Sequence, residues 1–388
     1  MATGASRPRP GSHPELAKGG EDVVLHLIEP AAWRAALGAG AVRPPSLESA
    51  GFVHLSTPDQ VHIPAGALFP GRRDLVLLVV DPARLADPVR VEPGVPADPG
   101  GRLFPHLYGP LPTAAVVAVV PYRPPSPVVL PAPDDAYGRA VAYVVSLPVR
   151  RAVGVGDVPG GVAVLDPDFP YSYDNNRLLL TEPVDAATVE QAAEAVGGNA
   201  GWPHRAALLV WPDAGPVAAD LARAGWRTEE LVLMARSPAD PPAAAHDRVE
   251  VVPQAEVHAL WESSWRRGLV SLGNRLESAV RQLVERERLN DLVVAVTDLV
   301  VRDAGRVVAA AQLRVDGATA ALESVMTDPG HRGRGHAGAL LARALELAAA
   351  AGCDLVVLEA AGGDWPRGWY ARRGFTEVGR AWSVSGPA

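Results

Sequence analysis

Val325-Met326-Thr327-Asp328-Pro329-Gly330-His331-Arg332-Gly333-Arg334-Gly335-His336-Ala337-Gly338 decides how the last third of this sequence is read. It follows an apolar, strand-like run and opens a long amphipathic pattern, Gly335 to Ala351. Glycines let the backbone turn so that successive N–H groups converge on one point. The helix that begins there adds unpaired N–H donors and the positive end of its dipole. Together these make a cradle for phosphate that needs no particular side chain, and Arg332 and Arg334 stand ready to add charge-assisted contacts.

Outward from that loop the pattern continues in a set order. Upstream, strands are expected at 249–252, 291–302, 307–315 and 319–326, with helical patterns over 255–267 and 276–288. Downstream come a strand at 355–360, a short helix around 365–373 and a closing strand at 376–384. A meander followed by a β–α–β unit predicts a mixed sheet with helices on both faces.

Arg332-x-x-Gly335-x-Ala337 resembles the coenzyme loop of the GCN5-related N-acetyltransferase (GNAT) family. Trp369-Tyr370-Ala371-Arg372-Arg373-Gly374-Phe375 resembles that family's closing signature, a Tyr four residues before Gly-Phe. The resemblance covers 247–388. It implies acetyl-CoA as co-substrate, held by Val325, Met326, Thr327, Arg332, Gly333, Arg334, Gly335, His336, Ala337 and Gly338. It also implies that the strands ending near Thr327 and Ala360 splay apart to admit the pantetheine arm. Tyr370 matches the family's acid for the leaving thiolate. Glu323 is the expected base, placed by strand alternation on the face of Val325. Asp364 and Trp369 depart from the usual Asn and Leu. Trp261, Trp265, Arg266 and Arg267 fall where the family places its acceptor helices. The acceptor is an amine, small-molecule or peptide, that the sequence does not identify.

A middle segment, 136–246, ends in Gly225-Trp226-Arg227-Thr228-Glu229-Glu230, which resembles Gly374-Phe375-Thr376-Glu377. It has no matching coenzyme loop, so it reads as a degenerate acetyltransferase half that binds no coenzyme. Prolines 121, 124, 125, 127, 131 and 133 mark a stiff linker, 124–135, across which few contacts are expected. Residues 21–123 form a small sheet-rich α+β domain. Leu25-His26-Leu27-Ile28, Gly51-Phe52-Val53-His54-Leu55-Ser56-Thr57 and Leu103-Phe104-Pro105-His106-Leu107-Tyr108-Gly109 resemble domain-of-unknown-function family 952. That family has been tied by remote similarity to ADP-ribosyltransferase-like folds, a fold-level analogy. His26, His54 and His106 are its candidate pocket, for phosphate or ribose; no carboxylate or Cys sits at metal-ligand spacing, so no metal is expected. The fold class is therefore α+β multi-domain, with a disordered tail expected at 1–20.

Composition bounds the rest. A net charge of −8 without a basic block argues against nucleic acid or anionic membrane as partner. The longest apolar run, 292–301, is far short of a membrane span. The first twenty residues lack the apolar core of a signal peptide, and the lone Cys353 forms no internal disulfide; both fit a cytoplasmic protein. Among 36 basic residues only Lys18 is a lysine, a codon-usage effect rather than a functional one. The sequence sets no oligomeric state. Two other functions compete with transfer: a two-headed protein whose first domain binds or modifies a nucleotide, and a coenzyme-A sensor without transfer activity.

Overall fold

The structure is a computed structural model and describes residues 23–94, 101–126, 128–202, 204–241 and 247–386. The tail expected at 1–20 lies outside these. The first domain contains β1 (Val24–Ile28), α1 (Pro30–Ala39), β2 (Ala41–Val42), α2 (Pro45–Ser49), β3 (Val53–His54), α3 (His62–Leu68), β4 (Leu75–Val80), β5 (Val89–Pro93), β6 (Leu103–Leu107), β7 (Leu111–Pro112) and β8 (Val116–Tyr122). β4 is central in the sheet β1–β4–β8, and β3–β6–β5 forms a second small sheet. The unbroken run Leu75-Val76-Leu77-Leu78-Val79-Val80 follows from cover on both faces. Val76, Leu78 and Val80 pack into one core, while Leu75, Leu77 and Val79 pack into another.

The rest of the chain builds one sheet. It comprises α4 (Ala136–Arg151), β9 (Gly154–Val158), β10 (Gly161–Leu165), β11 (Arg177–Leu180), α5 (Ala186–Ala200), β12 (Arg205–Leu209), α6 (Gly215–Arg223) and β13 (Arg227–Arg236). The C-terminal half adds β14 (Val249–Val252), α7 (His258–Gly268), α8 (Leu276–Glu285), β15 (Ala295–Asp303), β16 (Arg306–Asp316), β17 (Thr319–Thr327), α9 (His336–Ala350), β18 (Leu355–Ala361), α10 (Trp365–Ala371) and β19 (Thr376–Gly386). Eleven strands lie in the order β14-β15-β16-β17-β18-β13-β19-β12-β11-β10-β9.

That order shows two halves of one plan. β10–β11 are antiparallel, α5 crosses over, and β11–β12 are parallel; β16–β17, α9 and β17–β18 repeat this. The closing strands are exchanged. β13 of the middle half pairs with β18, and β19 of the C-terminal half pairs with β12. β13 and β19 then pair with each other. The boundary at 246/247 is thus a division of the sequence and not of the sheet.

The expectation that few contacts cross the proline-rich linker is overturned. The β16–β17 turn is seated in the first domain. Ala318 N–H donates to Val116 O at 2.7 Å, Thr319 Oγ1 donates to Val117 O at 2.7 Å, and Ala318 packs in the first domain's core. Fully buried Trp33 donates Nε1–H to Asp316 Oδ1 at 2.7 Å. A side chain on Gly317 would meet Val116 O at 2.4 Å. Stiffness in the linker says nothing about the surfaces it joins, and here those surfaces are packed and polar-matched.

Candidate active site

The cleft of the C-terminal half opens where β17 and β18 separate. They pair only at Thr319–Ala321 with Leu355–Val357, so from Leu322 onward the facing edge of β17 has no strand partner. On its other edge β17 carries a bulge: Gln312 pairs with Glu323 and Ala310 with Met326, leaving Ser324 and Val325 opposite a single residue. Ser324 adopts φ 51° there. An extra residue shifts the alternation of the strand. Leu322 and Val325 accordingly share the face packed on α9, while Met326 packs with Leu260 and Trp261 on the other. This corrects the expected placement of Glu323. It lies in a cross-strand row with Gln312 and Asp298, on the face opposite Val325.

The cleft encloses about 620 Å³ and is lined by Val325, Met326, Thr327, Arg332, Gly333, Gly335, His336, Ala337 and Gly338 among the expected coenzyme residues. Gly333 and Gly335 have φ 76° and 77°, conformations that a side chain strains. The first helical hydrogen bond of α9 is Ala339 N–H to Gly335 O, so the N–H groups of His336, Ala337 and Gly338 precede it and face the cleft. Asp328 fixes the turn by accepting from Gly330 N–H at 3.0 Å and pairing with Arg306. Arg332 stays at the cleft, its Nε 3.4 Å from Thr327 O. Arg334 does not line the cleft: its side chain reaches Asp303 Oδ2 at 3.2 Å and Gly330 O at 3.2 Å.

Tyr370 lines the cleft beside Trp369 and is 8% exposed, with no hydrogen bond to its hydroxyl among the described residues. Burial, then the charge of Glu323, pushes its phenol above the usual range, so it stays protonated at neutral pH. Asp364 caps α10 by accepting from Trp365 N–H at 2.7 Å, a bond that Asn would also accept.

Residues that the sequence reading missed complete the site. Leu260, Ser264, His331, Trp365, Pro366 and Arg373 also line the cleft. Of the proposed acceptor residues, Arg267 reaches it, whereas Trp261 is core and Arg266 pairs with Glu262 and Glu277 on the surface. On the face of Glu323, β18 presents Glu359, since Val356, Leu358 and Ala360 take the α9 face. Glu359 is open to water yet ringed by protein. Burial, then the neighbouring Glu323, raises its carboxyl to about 7. Glu323 is itself raised, first by burial, with Arg314 opposing. Arg177 and Asp174, which act electrostatically on Glu359, come from the middle half. Asp174 is held by Arg286 at 2.7 Å, and Arg314 by Glu287 at 2.7 Å. The middle half therefore acts electrostatically on Glu359.

The equivalent place in the middle half carries an acidic cap. Asp185 occupies the start of α5, accepting from Thr188 N–H at 2.8 Å. A carboxylate there takes one of the donors and repels the charge that a pyrophosphate would bring.

In the first domain, the three histidines gather. His54 and His106 rings are 5.0 Å apart edge to face, Phe52 stacks on His106 at 4.0 Å, and His26 Nδ1 is 2.9 Å from His54 O. Only His54 reaches solvent. All three are lowered, chiefly by burial, and are neutral imidazoles rather than a cationic phosphate clamp. No group of three His, Cys, Asp or Glu among the described residues is arranged to hold a metal. Nor is any described helix long and apolar enough to cross a membrane.

The C-terminal half is thus a mixed sheet opened by a splay and a bulge, with a bare helix start and a buried tyrosine lining one cleft. The comparisons give the particular family: residues 256–375 match the acetyltransferase (GNAT) family, and residues 27–119 match the family of unknown function DUF952. The chain thus carries a GNAT domain at its C-terminal end and a DUF952 domain before it. It is similar to a solved GCN5-related N-acetyltransferase from Kribbella flavida, with 21% identity over 65% of this chain and 96% of that one and a TM-score of 0.45. A tandem GNAT protein from the clavulanic acid biosynthesis pathway is 20% identical over 52% and 69%, with a TM-score of 0.35. Protein CC0527 from Caulobacter crescentus is 31% identical over 26% of this chain and 84% of its own, with a TM-score of 0.23. No curated protein matches the chain.

Proposed function

We propose that this protein transfers the acetyl group of acetyl-CoA to an amine in the cleft between β17 and β18. The observation that carries the reading is the convergence on one cleft of the bare α9 start, the unpaired β17 edge and Tyr370. The pyrophosphate is held by the N–H groups of His336, Ala337 and Gly338 with Arg332 beside them. The pantetheine amides pair with the free edge of β17 near Val325 and Thr327, as an added strand does. The amine approaches from the opposite face, where Glu359, with Glu323 next to it, accepts its proton. The nitrogen then attacks the thioester carbonyl, the C–S bond breaks, and the thiolate receives a proton at the Tyr370 side. The products are the acetylated amine and free coenzyme A. Tyr370 in the cleft supports transfer over mere sensing. The nucleotide reading of the first domain loses support, because two of its three histidines are enclosed.

Gly335→Asp tests the cradle. It imposes a side chain at φ 77° and sets a carboxylate against the bound phosphate. Calorimetry is expected to show acetyl-CoA binding weakened at least about tenfold, roughly 1.4 kcal/mol. Unchanged affinity in a folded variant would falsify the placement of the coenzyme.

A further inference from the structure

A second cavity, of about 750 Å³, lies where the first domain meets α4 and β9. Its wall holds four arginines, Arg72, Arg73, Arg123 and Arg150, and two carboxylates, Glu29 and Asp74. Both carboxylates are drawn to Arg72, Asp74 at 2.6 Å and Glu29 at 3.0 Å. Glu29 is the residue before α1 and makes no cap to that helix with its side chain.

The other three arginines are anchored through their terminal nitrogens. Arg73 Nη1 meets Asp157 Oδ2 at 2.6 Å. Arg123 meets Asp157 Oδ1 at 3.3 Å and donates to Arg73 O at 3.1 Å and Val155 O at 3.2 Å. Arg150, its side chain 1% exposed, pairs with Asp316 and donates to Val293 O at 3.1 Å. Among the described residues, Nε of all three and Nη2 of Arg73 are buried without an acceptor. Buried N–H groups in folded proteins are nearly always paired, so four unspent donors along one cavity are a departure that asks for an acceptor. The remaining wall is apolar: Leu75, Val76, Val149, Val153 and Val155. A cavity of this size, mostly apolar with a few convergent donors, is of the kind that takes a small molecule rather than a bare ion.

We propose that this cavity binds a small molecule bearing an oxyanion, phosphate or carboxylate, whose charged end is taken by Arg73, Arg123 and Arg150. A guanidinium group carries its N–H donors in one plane, the geometry that such oxyanions accept, and Nε of each of the three is unspent. The molecule's body lies along the valines of α4 and β9. The site is distinct from the acetyltransferase cleft and does not depend on the reading of that cleft.

The test is calorimetry on the full chain with inorganic pyrophosphate in one arm and citrate in the other, each standing for one source of oxyanion. At least one arm is expected to bind with Kd below about 1 mM. Arg73→Gln, at a partly exposed residue whose loss a melting curve can show to be tolerated, is expected to weaken it at least tenfold. Arg73→Lys, which keeps charge without the fork, should fall between. Arg332→Gln, at the coenzyme loop, should leave this binding unchanged. Absence of binding in both arms overturns the proposal. So does wild-type affinity in Arg73→Gln, or an equal loss in Arg332→Gln, which would place the anion at the coenzyme loop.

Discussion

Tyr370→Phe lowers turnover by about 10²-fold or more while leaving acetyl-CoA affinity nearly unchanged. The substitution removes one oxygen from a side chain packed between Trp369 and Phe375, so the ring contacts persist. In the proposed binding mode the coenzyme phosphates sit at the start of α9 rather than at the phenol. The loss therefore falls on an interaction made as the C–S bond breaks, and shows in kcat rather than in binding. Burial raises the phenol's pKa, which weakens it as a proton source but keeps the proton in place as negative charge grows on sulfur. Steady-state kinetics with a saturating amine measures this. Retention of more than about half of wild-type turnover would remove Tyr370 as the acid.

Glu359→Gln has an effect of similar size, about 10²–10⁴ in turnover, and changes the pH profile as well. A base works in its deprotonated form. With the carboxyl of Glu359 raised to about 7, activity of the wild-type protein falls as pH drops through that value. Gln has no such titration, so the variant loses both the rate and that limb of the profile. The alternative base, Glu323, makes the opposite prediction: Glu359→Gln would then keep the limb and most of the rate. Rate–pH curves for Glu359→Gln and Glu323→Gln separate the two.

The coenzyme half was legible in sequence because its signals are local. The turn at Gly333 and Gly335 and the helix start after it require glycine and little else, and the spacing to Tyr370 and Gly374-Phe375 is fixed along the chain. Glu323 was found, but its face was misread. A bulge at Ser324 inserts one residue, and nothing in Leu322-Glu323-Ser324-Val325 marks where a strand slips. Glu359 was passed over because a single carboxylate in an apolar strand looks like an exposed edge.

The exchange of β13 and β19 was not legible at all. Both are closing strands after a glycine and an aromatic, Gly225-Trp226 and Gly374-Phe375, and each would satisfy either half. Which neighbour each one takes depends on the whole sheet. α4 was also missed. Asp135 caps it, accepting from Gly138 N–H at 2.8 Å, and Arg139, Ala140, Tyr143 and Leu147 form its buried stripe. Pro148 within its last turn and the prolines before it concealed the period. The Asp185 cap distinguishes the start of α5 from that of α9: its carboxylate already accepts from Thr188 N–H.

The measurement that bears most directly on this account is a calorimetric titration of the full chain with acetyl-CoA. One site per chain is expected, because α9 offers a bare helix start and α5 does not. Two sites of similar affinity, or none, would contradict it.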